Sequence, residues 1–116
     1  MEISTKKLKK LIENKGDYVL IDVREKEELP FGMIPTARNI PTSEFEKAEN
    51  LDDKAFKEKY GFAKFKKQDR IILYCRTGSR SAPIVDYLNK KGYKAINYKG
   101  SVREWSKIDK DVRYYE

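Results

Sequence analysis

The chain has one cysteine, Cys75, which lies in the stretch YCRTGSRS at residues 74–81. The preceding letters, RIIL, are typical of a buried strand. Two interpretations of this thiol compete: a small apolar side chain of the core, or a nucleophile beside an anion-binding loop. The glycine, hydroxyls and arginines that follow Cys75 favour the nucleophile, because an isolated core cysteine needs none of them.

Ionisation of this thiol needs help, because a free thiol has a pKa of about 8.5 and is mostly protonated at neutral pH. The chain contains no histidine. A Cys–His pair and zinc sites of the usual Cys/His kind are therefore excluded. A helix N-terminus and nearby arginines remain as sources of positive potential, and the loop offers both. The sequence predicts a lowered pKa for Cys75.

The loop after the cysteine is the predicted anion-binding segment. Glycine permits a tight turn that directs backbone N–H groups inward, and a helix beginning near Ser81 adds unpaired N–H groups of its own. The two arginines add fixed positive charge. The predicted substrate-binding residues are Arg76, Thr77, Gly78, Ser79 and Arg80.

The elements that must position this loop alternate between strands and helices. Short apolar, β-branched runs predict strands at residues 18–23, 70–74 and 94–98, with a very short one at 38–40. Helices are predicted from a Ser4 cap to about Asn14, from a Ser43/Glu46 capping box to about Glu49, and at 52–61 and 81–91. Ser101 with Glu104 suggests one more capping box before Trp105. This alternation predicts an α/β fold with a parallel sheet covered on both faces. Ligands bind such sheets at the carboxyl ends of the strands, where Cys75 stands.

Length and composition predict a single domain over residues 1–116 with a heavily charged surface, since hydrophobic and charged residues each make up 39%. The net charge is +7, but most lysines alternate with acids, which favours solvated helix faces over a nucleic-acid stripe. No apolar run approaches the roughly 20 residues of a membrane span, and the N-terminus resembles a first helix rather than a signal peptide. We expect a cytoplasmic monomer with no metal, no cofactor, no nucleic-acid partner and no membrane partner.

Four motifs carry a family resemblance: CRTGSRS, LIDVREKEE, GMIPTARNIP and GYKAINYKGSVREW. In order and spacing they resemble the rhodanese-like, single-domain sulfurtransferases from about residue 4 to residue 105. The resemblance implies a rhodanese-like α/β domain with a central parallel sheet and helices on both faces. It also implies that Cys75 attacks the outer sulfur of thiosulfate, a small anionic donor, releases sulfite and carries a persulfide. The acceptor would be cyanide, glutathione or another thiol, including a protein thiol.

Residue by residue, the active loop of the family maps onto residues 75–80, with Ser81 as a supporting residue. Asp22 and Arg24 match the acid and the base of the family's DVR strand end. The resemblance implies that they support the loop and place charge at the substrate entrance; the alternative is a surface ion pair. Trp105 is expected in the core.

The chain departs from the family pattern at three positions. Met33 stands where many relatives carry histidine, and Thr36 and Ser101 each replace a common glycine. The two glycine replacements are expected to alter turn geometry near the site, but neither removes a reactive group.

Two other functions remain open. A phosphatase or arsenate reductase of related fold also uses cysteine, a backbone nest and arginine. Here four residues separate Cys75 from Arg80, one fewer than in the related dual-specificity phosphatases, and the shorter ring favours a sulfane sulfur over a phosphoryl group. The second of these alternatives is a protein-binding or sulfur-carrier module without small-molecule turnover. Inactive relatives commonly lack the cysteine, however, and this chain keeps it.

Overall fold

A single parallel sheet organises the computed structural model, which describes residues 1–114. Its strands have the order β2-β1-β3-β4. Their bounds are β1 Val19–Asp22, β2 Arg38–Asn39, β3 Arg70–Tyr74 and β4 Lys94–Asn97. The predicted parallel α/β fold is therefore confirmed. The last two residues of the predicted domain, 115–116, lie outside the described part of the chain.

Helices cover both faces of this sheet, as predicted. They are α1 Thr5–Glu13, α2 Phe45–Asn50, α3 Asp53–Tyr60, α4 Ser81–Lys90 and α5 Ser101–Trp105, with 3-10 turns at Lys26–Phe31 and Thr42–Glu44. Because successive side chains of a strand point to opposite faces, Ile71 and Leu73 pack with α2, α3 and α4, whereas Ile72 and Tyr74 pack with α1 and α5. Trp105 is buried in the second cluster, as expected.

Several predicted helix ends are confirmed by their caps. The Ser4 hydroxyl accepts a hydrogen bond from the backbone N–H of Lys7, and α1 begins at the next residue after Ser4. Gly61 ends α3 in the left-handed conformation with φ +80°, which glycine adopts without strain.

The predicted Ser43/Glu46 capping box is wrong. Helix α2 begins at Phe45 without a side-chain cap, after the 3-10 turn Thr42–Glu44. Glu25 instead accepts from the Ser43 hydroxyl at 2.8 Å and from the Ser43 N–H at 3.2 Å, and this N–H is the one that Glu46 would bond in a capping box. A 3-10 helix also forms at Lys26–Phe31, where no helix was predicted.

The second predicted capping box, Ser101/Glu104, is also wrong. Ser101 is the first residue of α5 rather than its cap. It has φ +53°, and Thr36, the other residue in place of a common glycine, has φ +75°. Both positions therefore hold the left-handed geometry that glycine favours, so the backbone keeps a glycine-like conformation at these two turns. No helix within residues 1–114 is long and apolar enough to cross a membrane.

Candidate active site

The backbone of Cys75 is fixed against α5 as the chain leaves β3. Its N–H donates to the Ser101 hydroxyl at 3.2 Å, and its carbonyl accepts from the N–H of Val102 at 3.2 Å. The Arg76 carbonyl accepts from the N–H of Arg103 at 3.0 Å. Cys75 is fully buried. The end of β3 and the start of α5 therefore set the position of the sulfur together.

Backbone N–H groups surround the sulfur of Cys75. The N–H of Gly78 donates to Sγ at 3.0 Å, and the N–H groups of Thr77, Arg80 and Ser81 are near enough to lower the pKa of the thiol. Gly78 has φ +90°, and a Cβ built there would lie 2.5 Å from the Lys99 carbonyl oxygen. Only glycine fits this turn, so the predicted nest is formed.

These donors change the acidity of the thiol. Burial acts to raise the pKa of Cys75, but hydrogen bonds from the Ser81 hydroxyl and from the N–H groups of Ser81, Arg80 and Thr77 outweigh burial and lower it. Each of these bonds favours the thiolate because a charged acceptor binds a donor more strongly than a neutral one. The predicted lowering of the pKa is confirmed, and its largest cause is the Ser81 hydroxyl, followed by the backbone N–H groups of Ser81, Arg80 and Thr77.

Ser81, predicted as a supporting residue, lies against the sulfur. Its hydroxyl oxygen is 3.6 Å from Sγ of Cys75, 3.3 Å from the Gly78 carbonyl and 2.7 Å from Oδ1 of Asn97. Both Ser81 and Asn97 are buried. Ser79, by contrast, is exposed, and its hydroxyl pairs with that of Thr77 at 3.2 Å on the rim of the loop.

Arg80 has a partner that the sequence did not suggest. Its two terminal nitrogens donate to the two carboxylate oxygens of Glu28, each at 2.7 Å. This hydrogen bond from Arg80 is the main cause that lowers the pKa of Glu28. The positive charge at this position is therefore balanced by a carboxylate from the 3-10 helix Lys26–Phe31.

Arg76 borders a small cavity beside the loop. Its guanidinium lies 4.4 Å from the centre of the Tyr114 ring, a cation–π distance. The cavity has a volume of about 60 Å³ and is lined by Arg24, Glu28, Phe31, Arg76, Val102 and Arg113. Three arginines face one carboxylate there, which favours an anionic occupant.

Asp22 and Arg24 form an ion pair, but not on the surface. Asp22 is 0% exposed and Arg24 is 2% exposed, and Nη2 of Arg24 lies 2.7 Å from Oδ2 of Asp22. Arg24 also donates to the Gly32 carbonyl at 2.7 Å. The surface-pair alternative is therefore wrong. The pair ties the end of β1 to the segment that carries Glu28, and through Glu28 to Arg80.

Sequence reasoning missed two residues of this site and misjudged a third. Asn97 ends β4 beside β3, so its place at the carboxyl edge of a parallel sheet was a usable signal. Glu28 had no such signal, because it stands in an acidic run and meets Arg80 across 52 residues. Ser101 was noted as a glycine replacement, but its bond to the N–H of Cys75 depends on how α5 docks.

The fold and the loop define an α/β protein whose thiol sits in a cradle of N–H donors at the carboxyl edge of a parallel sheet. Such a cradle can stabilise a thiolate, and it can bind an anion whose electrophilic atom approaches the sulfur.

Comparisons with known proteins agree with this description. The Rhodanese-like domain family matches residues 4–108, so the chain belongs to the rhodanese-like domain family. A human protein named thiosulfate:glutathione sulfurtransferase is 37% identical over 105 residues, covering 89% of this chain and 90% of that protein. A relative from Schizosaccharomyces pombe is 48% identical over 89 residues; these cover 76% of this chain and 63% of the relative.

A solved structure supports the same assignment. The human single-domain sulfurtransferase TSTD1 superposes with a TM-score of 0.87 at 34% identity, covering 93% of this chain and 96% of that one. The resemblance seen in the sequence motifs is thus confirmed for both family and fold.

Proposed function

We propose that this protein is a thiosulfate sulfurtransferase with Cys75 as its nucleophile. The observation that carries the proposal is the buried sulfur of Cys75, held by backbone N–H donors that lower its pKa, in a chain of the rhodanese-like family. Arg76, Thr77, Gly78, Ser79 and Arg80 are the proposed substrate-binding loop, with Asp22, Arg24 and Ser81 in support.

The proposed reaction has two displacement steps. The Cys75 thiolate attacks the outer sulfur of thiosulfate, a new S–S bond forms, and the original S–S bond breaks with its electron pair leaving on sulfite. The persulfide then gives its outer sulfur to cyanide, glutathione or another thiolate, and the electron pair of the breaking S–S bond returns to Cys75. Charge balances in both steps, and neither requires a metal or a redox cofactor.

Binding of thiosulfate, the sulfur donor, is attributed mainly to backbone N–H groups of the loop. A divalent anion in the loop would meet the donors that now surround the sulfur, together with the arginines that line the adjacent cavity. The named activity of the human relative, from thiosulfate to glutathione, makes a small thiol the first acceptor to try. Cytoplasmic location and a monomeric state stay predictions.

Intact mass after thiosulfate treatment tests this proposal. We expect a gain of about 32 Da, one sulfur atom, on the wild type, removed by a reducing thiol. Cys75→Ser should gain nothing, because its hydroxyl does not ionise at neutral pH. An unchanged wild-type mass would refute the thiosulfate mechanism, and turnover of an aryl phosphate by the same sample would favour the phosphatase alternative.

A further inference from the structure

The side chain of Asn97 is linked to the sulfur of Cys75 through the hydroxyl of Ser81. It is 5% exposed and stands at the end of β4, beside β3, the strand that ends just before Cys75. Its Nδ2 donates to the Gly78 carbonyl at 3.4 Å, and its Oδ1 accepts from the Ser81 hydroxyl at 2.7 Å. A flipped amide would bring Oδ1 against the Gly78 carbonyl, two acceptors facing each other, so the Gly78 carbonyl sets the orientation.

The Ser81 hydroxyl has one proton and three acceptors within reach. The 2.7 Å distance to Oδ1 of Asn97 is the usual length of an O–H···O hydrogen bond, whereas the distances to the Gly78 carbonyl and to Sγ of Cys75 are 3.3 and 3.6 Å. The proton therefore points to Asn97. The oxygen lone pairs that remain can accept from the S–H of a protonated Cys75.

We propose that the Ser81 hydroxyl has two donor positions and that Asn97 is the positioning residue for one of them. While Cys75 is a thiol, or is covalently bonded to the transferred sulfur, the Ser81 hydroxyl donates its hydrogen bond to Oδ1 of Asn97. When the sulfur becomes a thiolate, the hydroxyl turns and donates to Sγ instead. Asn97 thus competes with the thiolate for one proton without contacting the substrate.

This switch has a use in turnover that rests on the proposed function. In the second displacement the electron pair of the S–S bond returns to Cys75, and a hydroxyl that turns toward Sγ stabilises the departing thiolate. In the first displacement the thiolate must attack, and the nucleophilicity of a thiolate falls as the thiol pKa falls. An acceptor that competes for the Ser81 proton keeps the pKa of Cys75 from falling too far.

The charged groups around the loop do not take part in this switch. Arg80 is paired with Glu28, and Arg24 is paired with Asp22 at the end of β1. Arg76 and Arg103 flank the loop on the side of α5. Substitutions at Asn97 and Ser81 leave all of these charges in place, so a change in thiol acidity would report on the neutral hydrogen bonds.

Alkylation of Cys75 by iodoacetamide between about pH 5 and pH 10 tests the switch through its midpoint pH. Four proteins are compared: wild type, Asn97→Leu, Ser81→Ala and the double variant. Asn97→Leu should lower the midpoint by about 0.5 to 1 pH unit, the size expected for one neutral hydrogen bond. Ser81→Ala should raise it by a similar amount. The midpoint of the double variant should match that of Ser81→Ala, because without the Ser81 hydroxyl there is no proton for which Asn97 can compete.

Two further variants separate this switch from general damage to the loop. Asn97→Asp keeps an acceptor facing Ser81 and adds negative charge, so its midpoint should rise, opposite to Asn97→Leu. Asn97→Ala replaces the leucine variant if circular dichroism shows that the latter does not fold. The proposal is overturned if Asn97→Leu leaves the midpoint unchanged, or if it lowers the midpoint equally in the Ser81→Ala background.

The outcome of the alkylation experiment does not depend on whether the protein reacts with thiosulfate. Wild-type mass after thiosulfate treatment reports on the proposed function, whereas the midpoint cycle reports on the free thiol. A persulfide on the wild type together with no coupling between Asn97 and Ser81 would refute the switch alone.

Discussion

No histidine can serve as a base for Cys75, because the chain contains none. The donors to its sulfur are backbone N–H groups and one serine hydroxyl. Backbone dipoles are fixed by the path of the chain, so they cost no reorganisation when negative charge develops. At the scale of single residues, the side chains that matter most are therefore those that hold the loop in shape or add charge to it.

Arg80→Ala tests the contribution of one such charge. We expect kcat/KM for thiosulfate to fall by about 30- to 150-fold, the equivalent of roughly 2–3 kcal/mol, the size of a charge-assisted hydrogen bond. The loss has two parts, because the substitution removes a cation and also leaves the Glu28 carboxylate unpaired. Arg80→Lys should lower kcat/KM less, since lysine keeps the positive charge but cannot make the bidentate hydrogen bonds of arginine.

Glu28→Gln in the Arg80→Ala background separates these two parts. Removing the unpaired carboxylate should restore some of the lost kcat/KM, measured at low salt by sulfite release. If Arg80→Ala alone keeps nearly full kcat/KM, the arginine has no role in donor binding, even where Cys75 proves essential.

Among the elements, the start of α5 does more than close the fold. Ser101 has φ +53°, a conformation that costs a non-glycine residue roughly 1–2 kcal/mol. Its hydroxyl accepts from the N–H of Cys75 at 3.2 Å and donates to the Tyr98 carbonyl at 2.8 Å. Glycine would relax the backbone, yet it would leave a buried N–H without its acceptor. Serine at this position is therefore strained in its backbone, but its hydroxyl holds the N–H of Cys75 in place.

Ser101→Ala and Ser101→Gly form a matched pair for this interpretation. Alanine loses the hydroxyl and keeps the strain, so the free energy of unfolding should fall by about 2 kcal/mol, the cost of an unpaired buried donor. Glycine loses the same hydroxyl but relaxes the positive φ, and relief of that strain exceeds the extra chain entropy of glycine. Its loss should be smaller by about 0.5–1 kcal/mol.

Urea unfolding of the three proteins measures this order. The expected ranking is wild type, then Ser101→Gly, then Ser101→Ala. An alanine variant as stable as the wild type would mean that the hydrogen bond to Cys75 contributes nothing to stability, and a glycine variant less stable than alanine would contradict the strain at φ +53°.

At the scale of the whole molecule, the net charge of +7 sets up a field around the site. Thiosulfate is divalent, so long-range attraction should raise its rate of encounter. Exposed charges are screened beyond about 8 Å at physiological ionic strength. The scattered lysines should therefore lose their effect as salt is added, whereas charges within contact distance of the donor should keep theirs.

Salt titration of kcat/KM for thiosulfate measures this field. We expect a fall with rising ionic strength in the wild type and in Lys9→Ala, whose side chain is exposed and only loosely paired with Glu13 at 3.9 Å. Alkylation by iodoacetamide, which is uncharged, should change much less under the same salt series. A kcat/KM that does not depend on salt would mean that the net charge plays no part in donor capture.

The alternation of short apolar runs and helical segments in the sequence determined the layered α/β fold, because strand and helix periodicity are local properties. The strand end at Cys75 and the helix start at Ser81 follow from neighbours a few residues apart. For the same reason the lowered pKa of the thiol was predictable, since its donors come from the loop itself.

Contacts between distant segments were decided only by the tertiary structure. Glu28 meets Arg80 across 52 residues, Asn97 meets Ser81 across 16, and the hydroxyl of Ser101 meets the N–H of Cys75 across 26. The two mistaken capping boxes have the same origin: Ser43 and Ser101 each found a remote partner that local spacing could not reveal. A hydroxyl bonds whichever group the packed chain brings within about 3 Å, and sequence spacing fixes that distance only within one turn or one helix.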